Sequence, residues 1–464
     1  MTSMHYAGAA VILFFITAIG LFSGLRVKSA GDFSVGARKA GGSIVAGTIV
    51  GTLVGGAATI GTAQLAFSYG LSAWWFTLGG GIACILLGVF YAKPFYLSGM
   101  ETMPGMLAQE YGSVTATAAA VLTSLGSFLS IVSQVLAGIV LITSVSHLSP
   151  GMAAVLIIVL MLAYVVFGGV WGAGLVGIAK TALLYFFIGA CGVMVVRMGV
   201  GPLLTLPAET FFSLFARGVP VDLGAGFSLI LGVLTTQAYI QAIVSASSLR
   251  CARVGIFTAA VLIPLIGIAG ILVGLYMRVH FPAIAPGSAL PLFVMEYMPP
   301  LFAGMTLAVL LVAVVGTGAG VALGLSAMFC SNIYRIYICP HADERKLLLV
   351  ARLALVVIFA AAGLMTCGNL GSLILGWSFM SMGLRGAVAF GPLTTALFLP
   401  RRVRSSYVLG AMFVGPLCIL LGNPFIGNAF DPLFLGVGVS LLVLVLGRKR
   451  EGMSQTSNPL TLGE

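Results

Sequence analysis

Apolar runs of about 20 residues, the length that crosses the hydrocarbon core of a bilayer, recur along almost the whole chain with only short polar stretches between them. Read as spans, they predict about thirteen transmembrane helices, beginning near residues 7, 43, 71, 114, 150, 171, 226, 254, 302, 347, 370, 405 and 429. The fold class implied is an all-α integral membrane protein, with residues 1–448 as one polytopic domain and 449–464 as a short, polar, disordered cytoplasmic tail. The first run is expected to be a retained helix. Nothing basic precedes it, and Arg26, Val27 and Lys28 follow it, which is the reverse of a secretory signal.

Composition agrees: 60% of residues are hydrophobic, 7% are charged and the mean hydropathy is +1.16, a profile suited to lipid as solvent. The net charge of +11 then reads as a topology signal and gives no reason to expect nucleic acid as a partner. Of the 22 Lys and Arg residues, those at 26, 28, 38, 39, 93, 250, 253, 335, 345, 346, 352, 401, 402, 404, 448, 449 and 450 fall on one side of this threading. Only Arg197, Arg217 and Arg278 fall on the other. Basic residues near helix ends favour the cytoplasm, so the N-terminus is expected outside and the C-terminus inside, in a plasma (inner) membrane.

The polar residues exclude several functions. Seven scattered cysteines (Cys84, Cys191, Cys251, Cys330, Cys339, Cys367, Cys418) form no CxxC pair and read as small core residues. His5, His147, His280 and His341 show no metal-ligand spacing. No nucleophile, base or metal cluster lies at depth, so an enzyme is not expected. All eleven acidic residues fall in loops, helix ends or tails, so a carboxylate-lined cation channel or proton pump is disfavoured. A cation held at depth must then use carbonyls, hydroxyls or the solute itself.

Glycine, 62 of 464 residues, clusters in the second span, Ser43–Gly70, where Gly47, Gly51 and Gly55 are four apart and Gly55 adjoins Gly56. Close helix packing explains Gly47. From Gly51 to Gly61, with Thr59 and Thr62, the pattern fits a helix locally unwound at mid-membrane, where freed carbonyls and half-helix ends hold a cation and a polar solute. Setting aside the first helix, spans two to six and seven to eleven form two groups of five. An odd number makes the groups run in opposite senses, which is the arithmetic of an inverted repeat (43–197 and 226–400), leaving one extra N-terminal and two extra C-terminal helices. The first helix of the second group carries Gly232, Thr235, Thr236, Gln237, Tyr239 and Gln241, an unusually polar set that either glues helices or lines a solute site.

Six segments in this order and spacing resemble the sodium:solute symporter family: Phe33–Lys39, Leu65–Gly70, Met100–Gly112, Gly168–Trp171, Gln237–Gly255 and Phe390–Leu393. The resemblance runs from about residue 32 to 415. It implies the leucine-transporter-type five-plus-five fold, and a sodium site between the first and eighth core helices. By the resemblance its carbonyls come from Gly51, Val54 and Ala313. Its hydroxyl pair falls on Gly316 and Thr317, so that one hydroxyl is missing. In the fifth core helix Val176 and Gly177 stand where the family carries threonine and aspartate, and Lys180 stands where it carries glutamine.

Two basic residues remain after the topology assignment. Lys180 lies about two and a half turns inside the sixth span with no acid nearby in sequence. Burying an unpaired ammonium costs several kcal/mol, so it is expected either to occupy the depleted cation site as a proton carrier or to snorkel and donate to helix-end carbonyls. Arg385, on the tenth core helix, presents a planar fork suited to a carboxylate; the alternative is a structural arginine bound to carbonyls of a broken helix. The expected function is cation-coupled symport of a small, carboxylate-bearing solute by alternating access. Sodium, held by Gly51, Val54, Ala313 and Thr317, is preferred, and proton coupling or sodium-independent transport through Lys180 is the alternative. A channel or a transporter-like receptor is the lesser reading. The solute is expected at Gly55, Gly56, Thr59, Thr236, Gln237, Gln241 and Arg385. Membrane lipid is the other expected partner, and no cofactor beyond the coupling ion is implied.

Overall fold

Where water is absent, a chain this apolar must meet its backbone hydrogen bonds within each segment, and the computed structural model is correspondingly helical. It describes residues 1–26, 38, 40–100, 102–168, 173–341, 343–426 and 431–449. Phe33–Lys39 apart from Arg38, Gly169–Trp171, Lys28, Asp32, Glu101 and the tail from Arg450 lie outside the described residues. Among the described residues there is no strand, only two isolated bridges, Ala40 with Ala246 and Val403 with Arg448.

Helix α1 (Ser3–Arg26) precedes a first broken helix, α2 (Gly42–Leu53) and α3 (Thr62–Tyr69), joined through Val54–Gly56 and a wider π turn at Ala57–Gly61. Helices α4 (Trp75–Leu86) and α5 (Ala92–Ser98) form a bulged rod, followed by the short α6 (Met103–Tyr111) and three long helices, α7 (Ser113–Val145), α8 (Pro150–Gly168) and α9 (Ala173–Met198). After the one-turn α10 (Ala208–Phe211) comes a second broken helix, α11 (Val219–Leu234) and α12 (Gln237–Val244), bent by 44° at Thr235–Thr236. Then follow α13 (Leu249–His280), the short α14 (Ala289–Tyr297), α15 (Pro300–Phe329), α16 (Glu344–Cys367), α17 (Ile374–Phe398), α18 (Ser405–Ile426) and α19 (Pro432–Leu446). Both breaks fall in the segments that the sequence marks as first helices of the two halves.

Six described segments are long and apolar enough to span a membrane, or seven with α11 and α12 taken as one bent span. Helix breaks and undescribed stretches cut several of the thirteen apolar runs below 18 helical residues, α2 among them. The seventh span starts at Val219 rather than near 226. Pro220 at the helix start and the buried Asp222 in its first turn lower the local hydropathy and hide that end of the helix. Asp222 accepts hydrogen bonds from Ser72 (2.6 Å) and pairs with Arg217 (2.6 Å), tying α11 to the segment that opens α4. In the interior, α7 packs against α15 and α17, with the α2–α3 break between them.

Candidate functional site

The α2–α3 break frees backbone groups that a continuous helix would consume. In such a helix the Gly55 N–H would donate to the Gly51 carbonyl four residues back; here it donates to Leu53 O at 3.1 Å. The Gly51 carbonyl is thereby left open, and the Lys180 ammonium takes it: Nζ donates to Gly51 O at 3.0 Å and to Thr317 Oγ1 at 2.9 Å. Lys180 is 5% exposed, and Thr317 is also buried. Three separate elements, α2, α9 and α15, thus meet on one cationic nitrogen.

Gly55 and Gly56 permit that approach. A Cβ on Gly55 would lie 2.7 Å from Thr317 Oγ1, and one on Gly56 2.6 Å from Val314 Cγ2 and 2.8 Å from Ala137 Cβ, closer than side chains pack. The Gly56 N–H donates to Gln134 Oε1 at 3.0 Å, and the Thr59 hydroxyl donates back to Gly55 O at 2.9 Å. Gln134, buried on α7, is a part of the site that the sequence reading missed; its only signal was a lone amide in an apolar span.

Of the expected cation ligands, the structure therefore brings Gly51, Thr317 and Lys180 into direct contact. Val54 and Ala313 are buried, but neither is among the two Lys180 acceptors. Gly316 carries no hydroxyl; a Cβ there would lie 4.0 Å from Lys180 Cδ and 3.7 Å from Tyr164 Oη. The side chain of Val176 lies outside the described residues.

A second group forms at the α11–α12 break. The hydroxyls of Thr235 and Thr236 turn back onto Leu231 O (2.9 Å) and Gly232 O (2.6 Å). Arg385 of α17 reaches Thr236 Oγ1 with Nη1 at 3.4 Å, Ser381 O with Nε at 3.3 Å, and Ser381 Oγ and Met382 Sδ with Nη2 at 3.4 and 3.0 Å. Thr236 and Arg385 are thus together. Gln237 faces elsewhere, its Oε1 accepting the Met103 N–H at the start of α6 at 2.8 Å. Gln241 is half-buried one turn further along α12. Chemically the first group holds the Lys180 ammonium among neutral oxygens, and the second offers a fixed positive charge. Among the described residues no His, Cys, Asp or Glu cluster is arranged to hold a metal.

Comparison with known proteins places the fold and the family. The model of the sodium:solute symporter family matches residues 33–207 and 217–415. High affinity choline transporter 1 of Homo sapiens is 25% identical, over 91% of this chain and 78% of its own length. Sodium/myo-inositol cotransporter 2 of Mus musculus is 25% identical over 76% and 60%. Among solved structures, a Na+-coupled sialic acid symporter in a substrate-bound, outward-open state superposes with a TM-score of 0.76 at 18% identity, covering 97% of this chain and 99% of its own. Mhp1, a nucleobase-cation-symport-1 family transporter in a closed conformation, superposes at 0.56 with 14% identity, covering 89% and 93%. The broken-helix fold is that of these transporters, and with most of its length matched by the family model the chain belongs to the sodium:solute symporter family, a family of secondary transporters and not of enzymes.

Proposed function

We propose that this protein moves a small organic solute across the plasma (inner) membrane by alternating access, and that the Lys180 ammonium takes the place of a sodium ion between α2, α9 and α15. The observation that carries this reading is the pair of hydrogen bonds from Lys180 Nζ to Gly51 O and Thr317 Oγ1, two of the four oxygens that sodium would use. An ammonium and a sodium ion carry the same charge and compete for the same lone pairs, so a protonated Lys180 keeps sodium out. Coupling then runs through the proton on Nζ: the charged amine closes the site, and its neutral form releases α2 from α15. The N-terminus outside and the C-terminus in the cytoplasm follow from the distribution of basic residues.

Family membership supports a second reading, in which Lys180 swings aside and sodium binds Gly51, Val54, Ala313 and Thr317. For the solute, Arg385 supports a carboxylate; relatives named for choline and myo-inositol put a quaternary ammonium and a polyol in the test panel as well. The test is uptake of radiolabelled carboxylates, choline and myo-inositol into proteoliposomes under an imposed sodium gradient, an imposed proton gradient, or neither. Proton-driven, sodium-indifferent uptake lost in Lys180→Gln is the expected result. Sodium-driven uptake that survives Lys180→Gln would overturn the lysine assignment.

A further inference from the structure

Tyr239 is fully buried on α12, at 0% exposure, and its hydroxyl has no hydrogen-bond partner. An orphaned buried hydroxyl is costly to the fold and calls for an explanation. The neighbouring cation is similarly underserved. Tyr239 stands one turn along α12 from Thr236, whose hydroxyl Arg385 reaches at 3.4 Å; the other Arg385 contacts are bonds of 3.3–3.4 Å to Ser381 oxygens and one to a thioether, a weak acceptor. The one ion pair among the described residues, Arg217 with Asp222, uses the buried carboxylate elsewhere. The backbone adds a third feature. Helix α12 is preceded at its cap position by Thr236, whose hydroxyl turns back to Gly232 O and leaves the helix without a side-chain cap. Half-helix N-termini at such breaks carry partial positive charge and favour anions. Finally, Gly126 makes room: a Cβ there would lie 2.6 Å from Arg385 Cγ, so only glycine lets Arg385 lie between α7 and α17.

We infer that Arg385, the Tyr239 hydroxyl and the N-terminal end of α12 form a binding site for a small monoanion. Arg385 brings α17 to the first turn of α12, and an anion held there would satisfy the orphan hydroxyl and the guanidinium together. The anion is either the carboxylate of the transported solute or a free inorganic ion. In the first case the inference rests on the transport reading above and specifies its substrate class.

The test is thermal unfolding of the purified full-length protein at constant ionic strength in a sulfate background, titrated with acetate, lactate, chloride or nitrate. A saturable rise in the unfolding midpoint is expected. Tyr239→Phe should leave the anion-free midpoint unchanged or raised, because it removes only an unpartnered hydroxyl, while the half-saturating anion concentration rises roughly ten-fold, the worth of one hydrogen bond to a charged group. Arg385→Gln should abolish the response. A rise with acetate and lactate alone identifies the solute carboxylate, and a rise with chloride or nitrate identifies an inorganic ion. No response to any anion, or a Tyr239→Phe response equal to wild type, would overturn the site. The assay needs no gradient, so anion binding without vesicle uptake would sink the transport reading and leave the site standing. If the anion is the solute carboxylate, uptake indifferent to Tyr239→Phe would do the reverse.

Discussion

Lys180 and Thr317 form a pair whose energetic weight is open to measurement. A buried ammonium that loses one of two acceptors keeps its desolvation cost, so Thr317→Val should destabilise the protein by about 1–3 kcal/mol, read as a lower unfolding midpoint in detergent. Lys180→Met removes the charge along with its need for partners, and the double variant should be less damaged than the sum of the two single changes. Additive losses would mean that the contact carries no coupling. The lysine itself was legible in the sequence, as one of two cations left in apolar runs after the other basic residues had been assigned to a side. Its Gly51 and Thr317 partners were reachable only through the family resemblance, because 129 and 137 residues separate them from it along the chain. Gln134 was missed, and Tyr239, named in the polar set of the second broken helix, was left between helix packing and solute contact. A single amide or phenol in a span has the same local pattern whether it glues helices, clamps a break or meets a ligand.

At the scale of the element, the α2–α3 break is held open by a side chain from another helix. Gln134 Oε1 accepts the Gly56 N–H, a donor that the interrupted helix no longer satisfies. Gln134→Leu leaves that amide buried and unpaired, at a cost of about 1–3 kcal/mol. Gly56→Ala forces a methyl against Val314 and Ala137, which for overpacking costs about 1–3 kcal/mol. Both variants should lose uptake more steeply than their unfolding midpoints fall, since the break also presents Gly51 O to Lys180; equal losses would assign Gln134 to stability alone. The adjacent glycines made the first break legible. The second lacks adjacent glycines and is marked by Thr235–Thr236, whose hydroxyls compete with the backbone by bonding Leu231 O and Gly232 O. Short helices such as α6 and α14, which lie between the long ones, were missed because an apolar window near membrane length averages them into loops.

Across the whole molecule, the first broken helix is tied to other elements at both of its ends. At one end Ala40, just before α2, donates to Ser245 O at 3.0 Å and accepts from the Ser247 N–H at 2.9 Å, beyond α12. At the other, Gln64 of α3 accepts the Ile374 N–H at 2.8 Å and donates to Ser372 O at 3.3 Å, bonding the start of α17. Alternating access requires these ties to break in turn, because a path open at both ends would dissipate the gradient. Gln64→Ala removes the α3–α17 tie at a cost of about 1 kcal/mol, enough to shift a balanced two-state population about five-fold. Hydrogen exchange should then speed up at the first turn of α17. If the two ends are coupled by rigid rocking of one helix group against the other, exchange at the Ala40 and Ser247 amides should slow in the same variant, since opening one end tightens the other. Faster exchange at α17 with no change at Ala40 and Ser247 would mean that the ends open independently, and that the coupling lies in Lys180 and its two acceptors.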